Sequence, residues 1–80
     1  MNITVRLLAT FRTFLPQPSV HATVSLEVEE DKRVGAVLEA LHLPAELPRI
    51  VLINGLYAGE DSLLTDGDIM SVFPPLIGGL

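Results

Sequence analysis

The sequence contains no cysteine and no tryptophan, and it has fewer basic than acidic residues. Without cysteine there is no disulfide framework, no thiolate zinc site and no cysteine nucleophile. The 5 Lys and Arg against 10 Asp and Glu give a formal net charge of −5, which would repel a phosphate backbone, so we do not expect nucleic-acid binding. The longest charge-free runs, 13–26 and 69–80, contain proline and are too short to predict a membrane span.

Charge is also scarce, whereas apolar residues are abundant for a chain of this length. The 80 residues are 49% hydrophobic and only 19% charged, against about 25% charged in ordinary soluble domains. A small domain buries only about 60% of its unfolded surface, so part of this apolar excess should form an exposed patch for a partner. Arg6 and Arg12 interrupt the apolar start, which argues against a secretory signal, and we predict a cytoplasmic protein.

Hydrophobic periodicity changes along the chain and divides it into elements. Alternating apolar residues predict strands at about 2–9 and 21–29. Their long connection contains Phe11 and Phe14, three residues apart, which could anchor a short helical turn. Apolar positions then follow a helical spacing over 32–42, with Asp31 as the N-cap. Gly35 inside this helix either lets a neighbouring backbone approach or is a tolerated weakness.

The second half of the chain predicts three further strands. Residues 50–53 form a continuous apolar run, typical of a central strand buried on both faces, and Asn54-Gly55 predicts a tight turn after it. A short segment at 56–58 follows. A turn at Asp66-Gly67 leads into a last strand over 68–73, which Pro74 and Pro75 terminate because they cannot donate ladder hydrogen bonds.

The element order predicts an α+β fold in which one main helix crosses one face of a mixed sheet of four to five strands. The β-grasp fold fits this order. We assign residues 1–75 to the β-grasp domain and 76–80 to a flexible C-terminal tail. The helix leaves one face of the sheet uncovered, and the apolar excess should lie there.

Side chains that could carry catalysis are few and scattered. The serines lack a glycine-rich elbow, and His21 and His42 have no evident nucleophile partner, so both are predicted to be surface histidines. Glu29-Glu30-Asp31 is explained as solvated charge beside a helix N-terminus. We therefore predict no metal site and no bound cofactor.

The C-terminal residues 72–80 are the remaining candidate for chemistry. Either they are a frayed end, or Pro74 and Pro75 form an extended stem and Gly78 and Gly79, which lack a Cβ, pass through a narrow channel. A carboxylate at the end of such a tail is a poor electrophile until it is activated, for example as an acyl adenylate. A sulfur or amine nucleophile can then take the acyl group.

Nearly the whole chain resembles the ubiquitin-like sulfur carriers. The residues that carry the resemblance are Ala9–Arg12, Ile53-Asn54-Gly55, Leu64–Asp68 and above all Val72-Phe73-Pro74-Pro75-Leu76-Ile77-Gly78-Gly79. The small subunit of molybdopterin synthase is the nearest match, and the thiamin-thiazole sulfur carriers come next. The strand order is also similar.

This resemblance implies a carrier that acts as a co-substrate. An activating enzyme uses ATP to adenylate the terminal glycine, sulfur replaces the adenylate to give a thiocarboxylate, and a synthase large subunit receives the tail and uses the sulfur to build molybdopterin. The reactive residue would be Gly79, with Gly78 as its flexible neighbour. The partner-binding residues would be Phe73, Pro74, Pro75, Leu76 and Ile77.

Leu80 departs from the family pattern because it follows Gly79 and makes the Gly79 carbonyl an amide. Either a peptidase removes Leu80, or Leu80 is a tag remnant, or the chain is not a carrier in this form. Three functional alternatives also stay open: a sulfur carrier for thiamin thiazole or another metabolite, a ubiquitin-like protein modifier, and a plain interaction module.

Overall fold

A computed structural model describes residues 1–17 and 21–75 and confirms the β-grasp fold. The elements are β1 (Asn2–Leu7), a 3₁₀ helix (Ala9–Phe14), β2 (Thr23–Glu27), α1 (Val34–Ala40), β3 (Ile50–Ile53), β4 (Leu56–Ala58) and β5 (Ile69–Phe73). The predicted strands and helix are all present, and most are shorter by one or two residues at their ends. Within these ranges, the helices are too short to cross a membrane.

The five strands form one mixed sheet in the order β2-β1-β5-β3-β4. Neighbouring strands are antiparallel except for the central pair, β1 and β5, which run parallel with Val5 opposite Met70 and Leu7 opposite Val72. The prediction that 50–53 is the central strand is wrong, because β5 takes that place. Only Val51 of β3 is fully buried, since α1 covers one face of the sheet and leaves Ile50 and Leu52 on the other.

The hydrophobic core lies between α1 and the covered face of the sheet. From the helix side come the buried residues Val34, Val37, Leu38 and Leu41, and from the two central strands come Ile3, Val5, Leu7, Met70 and Val72. These positions repeat every two residues in the strands and every three or four in the helix, as the sequence predicts. Phe11 of the 3₁₀ helix is also buried, and its ring meets Phe14 edge to face at 6.2 Å, so the predicted helical anchor is confirmed.

The start of α1 differs from the sequence prediction. Asp31 is not the N-cap: it has a φ of 64°, and the capping position is Arg33, whose side chain makes no capping hydrogen bond. Backbone carbonyls from the 59–64 loop replace the side-chain cap, because the Val34 N–H donates to Ser62 O at 3.0 Å. A cap supplied by a distant part of the chain leaves no local signal, so the sequence pointed to the nearest acidic residue instead.

Gly35 contacts the same loop through its backbone. Its N–H donates to Glu60 O at 2.9 Å, and a Cβ at this position would lie 3.4 Å from that oxygen. That distance is ordinary van der Waals contact, so the approach of the loop backbone to the first turn of the helix does not require a glycine, and the interpretation of Gly35 as a tolerated weakness is favoured.

A hydrogen-bond network around Asp68 fixes the position at which β5 begins. The side chain is 7% exposed, and its Oδ1 accepts from Asn54 Nδ2 and from Thr65 Oγ1, both at 2.9 Å. Its Oδ2 accepts from the Thr65 N–H at 2.8 Å. Asn54 is the first residue of the predicted tight turn, where Asn54 and Gly55 have φ values of 51° and 87°, and its Oδ1 also accepts from the Ile69 N–H at 2.9 Å. The network thus joins the β3–β4 turn to the start of β5.

Burial is the largest single influence on the pKa of Asp68, and it raises that pKa. The hydrogen bonds from the Thr65 N–H, from Asn54 and from the Thr65 hydroxyl together outweigh burial and lower the pKa below its usual 3.8. A carboxyl whose pKa is lower in the folded than in the unfolded state stabilises the fold above its unfolded pKa. That stabilisation disappears as the pH falls through the folded-state value.

We expect Asp68→Asn to lower the free energy of unfolding at pH 7 by about 1.5–3 kcal/mol, the usual contribution of hydrogen bonds to a charged group. Because protonation removes the same charge from the native protein, the difference between the two proteins should shrink as the pH falls below about 4. Urea unfolding at a series of pH values measures both effects. The matched control is Asp61→Asn at an exposed loop position, which should change stability little; an equal loss in that variant would contradict this role of Asp68.

Candidate functional site

The uncovered face of the sheet carries a patch of apolar side chains. Met70 and Val72 point into the core, so Ile69, Ser71 and Phe73 lie on the opposite side of β5, as the alternation of the strand predicts. Ile50 and Leu52 of β3 and Tyr57 of β4 share this side. We call Ile50, Leu52, Tyr57, Ile69 and Phe73 the open-face patch.

Strand register places the members of the open-face patch next to one another. Ile50 is directly opposite Phe73, and Leu52 lies between Tyr57 on one neighbouring strand and Ser71 on the other. Tyr57 is 84% exposed and Ile69 46% exposed, while Ile50, Leu52 and Phe73 are half-buried. Adjacent exposed apolar residues of this kind mark a surface for another protein.

The other half of the same face is polar. On β1, Thr4 lies opposite Ile69 and Arg6 lies opposite Ser71, and β2 adds Ser25 and Glu27 beyond them. The apolar half therefore has one polar flank, on the β1 side. A partner whose surface is complementary to both halves would therefore bind in one orientation relative to the strands.

The last residues of β5 lead from this face into the C-terminal segment. Phe73 is the final residue of the strand, and Pro74 and Pro75 after it are half-buried. The Leu8 N–H donates to Val72 O at 3.0 Å, and the 3₁₀ helix begins at the next residue and packs against β5. We call the end of β5 with Pro74 and Pro75 the tail exit. It is held between the 3₁₀ helix and the start of β3.

The structure brings three of the predicted site residues, Phe73, Pro74 and Pro75, together at the tail exit. The others, Leu76, Ile77, Gly78 and Gly79, lie outside the described residues, as does Leu80. The alternation of β5 already puts Ile69 on the same face as Phe73, but sequence reasoning did not identify Ile50, Leu52 and Tyr57 as part of that surface. Each alternates with an inward-facing neighbour, which is a usable signal, but grouping them needs the strand register.

Other polar residues do not form a competing centre within residues 1–17 and 21–75. His21 and His42 are exposed, and so are Glu29, Glu30 and Asp31. Across those ranges, no three His, Asp or Glu side chains are grouped closely enough to hold a metal ion. The features that remain are the open-face patch and the tail exit beside it.

Comparison with known proteins identifies relatives along the whole chain. The Mut7-C ubiquitin family matches residues 1–76. Small archaeal modifier protein 3 from Haloferax volcanii is 36% identical over 94 aligned positions, which cover 99% of this chain and all of the relative.

Solved structures agree with the same assignment. The crystal structure of SAMP1 from Haloferax volcanii superposes with a TM-score of 0.75 at 26% identity, covering 99% of this chain and all of that one. A putative molybdopterin converting factor subunit 1 from Pyrococcus furiosus has a TM-score of 0.72 at 25% identity and covers 94% of this chain and 98% of its own.

These matches confirm the resemblance that the C-terminal motif and the strand order indicate. The family match ends at residue 76, so it includes the open-face patch and the tail exit. The chain belongs to the Mut7-C ubiquitin family and, with it, to the ubiquitin-like sulfur carriers.

Proposed function

We propose that the chain carries sulfur on its own C-terminus, as a thiocarboxylate formed at Gly79 after Leu80 has been removed. The observation that supports this proposal is the position of the tail exit at the border of the open-face patch. Phe73 belongs to the patch, and only five residues separate it from Gly79. A partner that binds the face is therefore positioned to receive the tail in its own active site.

The proposed chemistry has two steps. The Gly79 carboxylate attacks the α-phosphorus of ATP, pyrophosphate leaves, and an acyl adenylate forms. A hydrosulfide ion supplied by the activating partner then attacks the carbonyl carbon, the bond to AMP breaks and AMP leaves, and loss of the sulfur-bound proton to solvent gives the thiocarboxylate. The chain itself provides no thiol, since it has no cysteine, and it needs none because the sulfur is attached to the main chain.

Two partners follow from this scheme. The first is the ATP-dependent activating enzyme, which uses the ATP, so this chain needs no bound cofactor. The second is an acceptor, and we propose the large subunit of a molybdopterin synthase. The similarity to a protein named as subunit 1 of a molybdopterin converting factor supports this choice over a thiamin-thiazole acceptor.

A second candidate function is protein modification, in which a lysine of a target takes the activated Gly79. The similarity to a small archaeal modifier protein favours it, and the same adenylate is required. Mass spectrometry separates the two functions, because a thiocarboxylate adds the mass difference between sulfur and oxygen to the free chain. A modifier instead becomes joined through Gly79 to lysines of other proteins, and because Arg49 is its last basic residue, trypsin would leave residues 50–79 on the target lysine.

Removal of Leu80 should switch adenylation on. We expect the 80-residue chain to support no pyrophosphate exchange with a matching activating enzyme and ATP, whereas a chain that ends at Gly79 should support it. The amide at Gly79 in the longer chain has no carboxylate to react. Equal exchange by both chains would show that Gly79 is not the reactive end.

The size of the side chain at position 78 should control sulfur loading. Gly78→Val in a chain that ends at Gly79 adds a branched side chain to the segment that enters the partner, outside the β-grasp domain. We expect sulfur loading to be lost with no change in the unfolding temperature, as measured by mass spectrometry and calorimetry. Normal loading would contradict the narrow-channel argument.

Phe73→Ala should weaken partner binding more than it weakens the fold. Loss of an aromatic anchor at a binding hot spot costs about 2 kcal/mol, or roughly 30-fold in Kd, whereas truncation of a fully buried Phe would cost about 3–5 kcal/mol of stability. Titration calorimetry with the activating enzyme or the synthase subunit, together with thermal unfolding, separates the two outcomes. Ser25→Ala, on the polar half of the same face, is the control. A large loss of stability with unchanged affinity would mean that Phe73 serves the core.

A further inference from the structure

The β3–β4 turn contains an asparagine that is followed directly by a glycine. Asn54 precedes Gly55, whereas Asn2, the other asparagine of the chain, precedes the branched Ile3. A backbone nitrogen can attack the side-chain carbonyl carbon of the asparagine before it. This attack is least hindered when the attacking residue is a glycine, which has no Cβ. Both residues of the turn are exposed, so water can reach them.

The reaction that such a pair undergoes is a deamidation that needs only water. The Gly55 nitrogen loses its proton to hydroxide and attacks Cγ of Asn54. The bond from Cγ to Nδ2 breaks, and ammonia leaves after taking a proton from water, which closes a five-membered succinimide. A water molecule then opens the ring at either carbonyl carbon. The product is aspartate, or isoaspartate, which adds one carbon to the main chain inside the turn.

The backbone of the folded turn holds the reacting atoms apart. Ile53 is paired with Leu56, so the turn has two central residues, and their φ values of 51° and 87° define a type I′ turn. The first central residue of such a turn has a ψ of about +30°. At that ψ the Gly55 nitrogen lies almost opposite Cβ of Asn54 across the Cα–C bond, whereas ring closure needs both on the same side.

Hydrogen bonds also fix the direction of the Asn54 side chain. Its Nδ2 donates to Asp68 Oδ1 and its Oδ1 accepts from the Ile69 N–H, both at 2.9 Å. The backbone N–H of Asn54 donates to Ile69 O at 2.8 Å. Both ends of the side-chain amide are therefore bound to the start of β5. Cγ cannot turn toward the Gly55 nitrogen until these bonds break.

We propose that Asn54 is a deamidation site that the native fold keeps inactive, and that it reacts only when the β3–β4 hairpin separates from the start of β5. A type I′ turn favours Asn-Gly because both central residues adopt positive φ. The two residues that form this turn are therefore the same two residues that can modify it once the turn opens.

A chain modified in this way cannot restore the native contacts. Aspartate at position 54 has no side-chain N–H to donate, and it would place a carboxylate oxygen where Nδ2 now lies, 2.9 Å from Asp68 Oδ1. Two carboxylates at this distance repel each other. Since the hairpin carries Leu52 and Tyr57, deamidation would also loosen the open-face patch.

The test follows deamidation by mass spectrometry at mildly alkaline pH, in the folded chain and in the same chain unfolded by guanidinium chloride. Tryptic digestion gives residues 1–6, which report on Asn2, and residues 50–80, which report on Asn54. A sample digested at time zero corrects for reaction during digestion. We expect Asn54 to react at least about tenfold more slowly in the folded chain, because a reaction confined to the opened hairpin is slowed by the opening equilibrium. Asn2 should react slowly in both states.

Asp68→Ala tests the hydrogen bonds directly, because it removes the acceptor of Asn54 Nδ2. We expect the folded variant to deamidate about tenfold faster than the folded native chain, since a hydrogen bond to a charged group helps to keep the hairpin closed. Thr65→Val removes only the hydroxyl donor to Asp68 and should accelerate the reaction by less. Asp61→Ala, at an exposed loop position, is the matched control and should react at the native rate. Circular dichroism establishes that each variant is folded.

Equal rates in the folded and the unfolded native chain would overturn the proposal, as would equal rates of Asn2 and Asn54 in the unfolded chain. Folded variants at positions 68 and 65 that react no faster than Asp61→Ala would also contradict it. Asn54→Asp reproduces one product. Its unfolding temperature should fall below that of the native chain at neutral pH, with a smaller difference in acid, where the two carboxylates share a proton. A product as stable as the native chain would show that the hairpin still closes after modification.

Discussion

The parallel pairing of β1 with β5 is the constraint on which the rest of this structure depends. It places a strand from the end of the sequence in the centre of the sheet, with Met70 opposite Val5 and Val72 opposite Leu7. Because side chains alternate along a strand, those inward positions require Ile69, Ser71 and Phe73 to face outward. The same pairing directs the chain out of the sheet beside the 3₁₀ helix. The outward position of the β5 members of the open-face patch and the tail exit are thus two consequences of a single register.

Local patterns were enough to predict most of the fold. Alternation identified β1, β2 and β5, helical spacing identified α1, and Asn54-Gly55 identified the hairpin turn, since each of these signals depends on neighbouring residues alone. The predictions that failed depended on distant parts of the chain. Asp31 was chosen as the cap because it is the acidic residue nearest to the start of the helix in sequence. The carbonyls that accept from the first turn of α1 instead come from residues 60 and 62, which are distant in sequence. Likewise β3 was assigned to the centre because an apolar run does not show which of its faces is covered.

The candidate site was predictable to the same extent and for the same reason. Phe73, Pro74 and Pro75 belong to a continuous motif, so they could be selected before the strand register was known. Ile50, Leu52 and Tyr57 come from two other strands and join Phe73 only through cross-strand pairing. The Asp68 network was missed altogether. Its members are separated by up to 14 residues, and a buried carboxylate with three donors cannot be distinguished by sequence from an ordinary turn aspartate.

The direction of β5 also determines how the domain responds to mechanical force. A pull on the tail acts at one end of β5, while resistance at Met1 acts at the opposite end of the parallel β1. Force applied in this way shears the ladder between the two strands, so its hydrogen bonds are loaded together instead of opening one by one as they would at the end of an antiparallel hairpin. A pull on the tail is therefore resisted by the β1–β5 ladder as a whole.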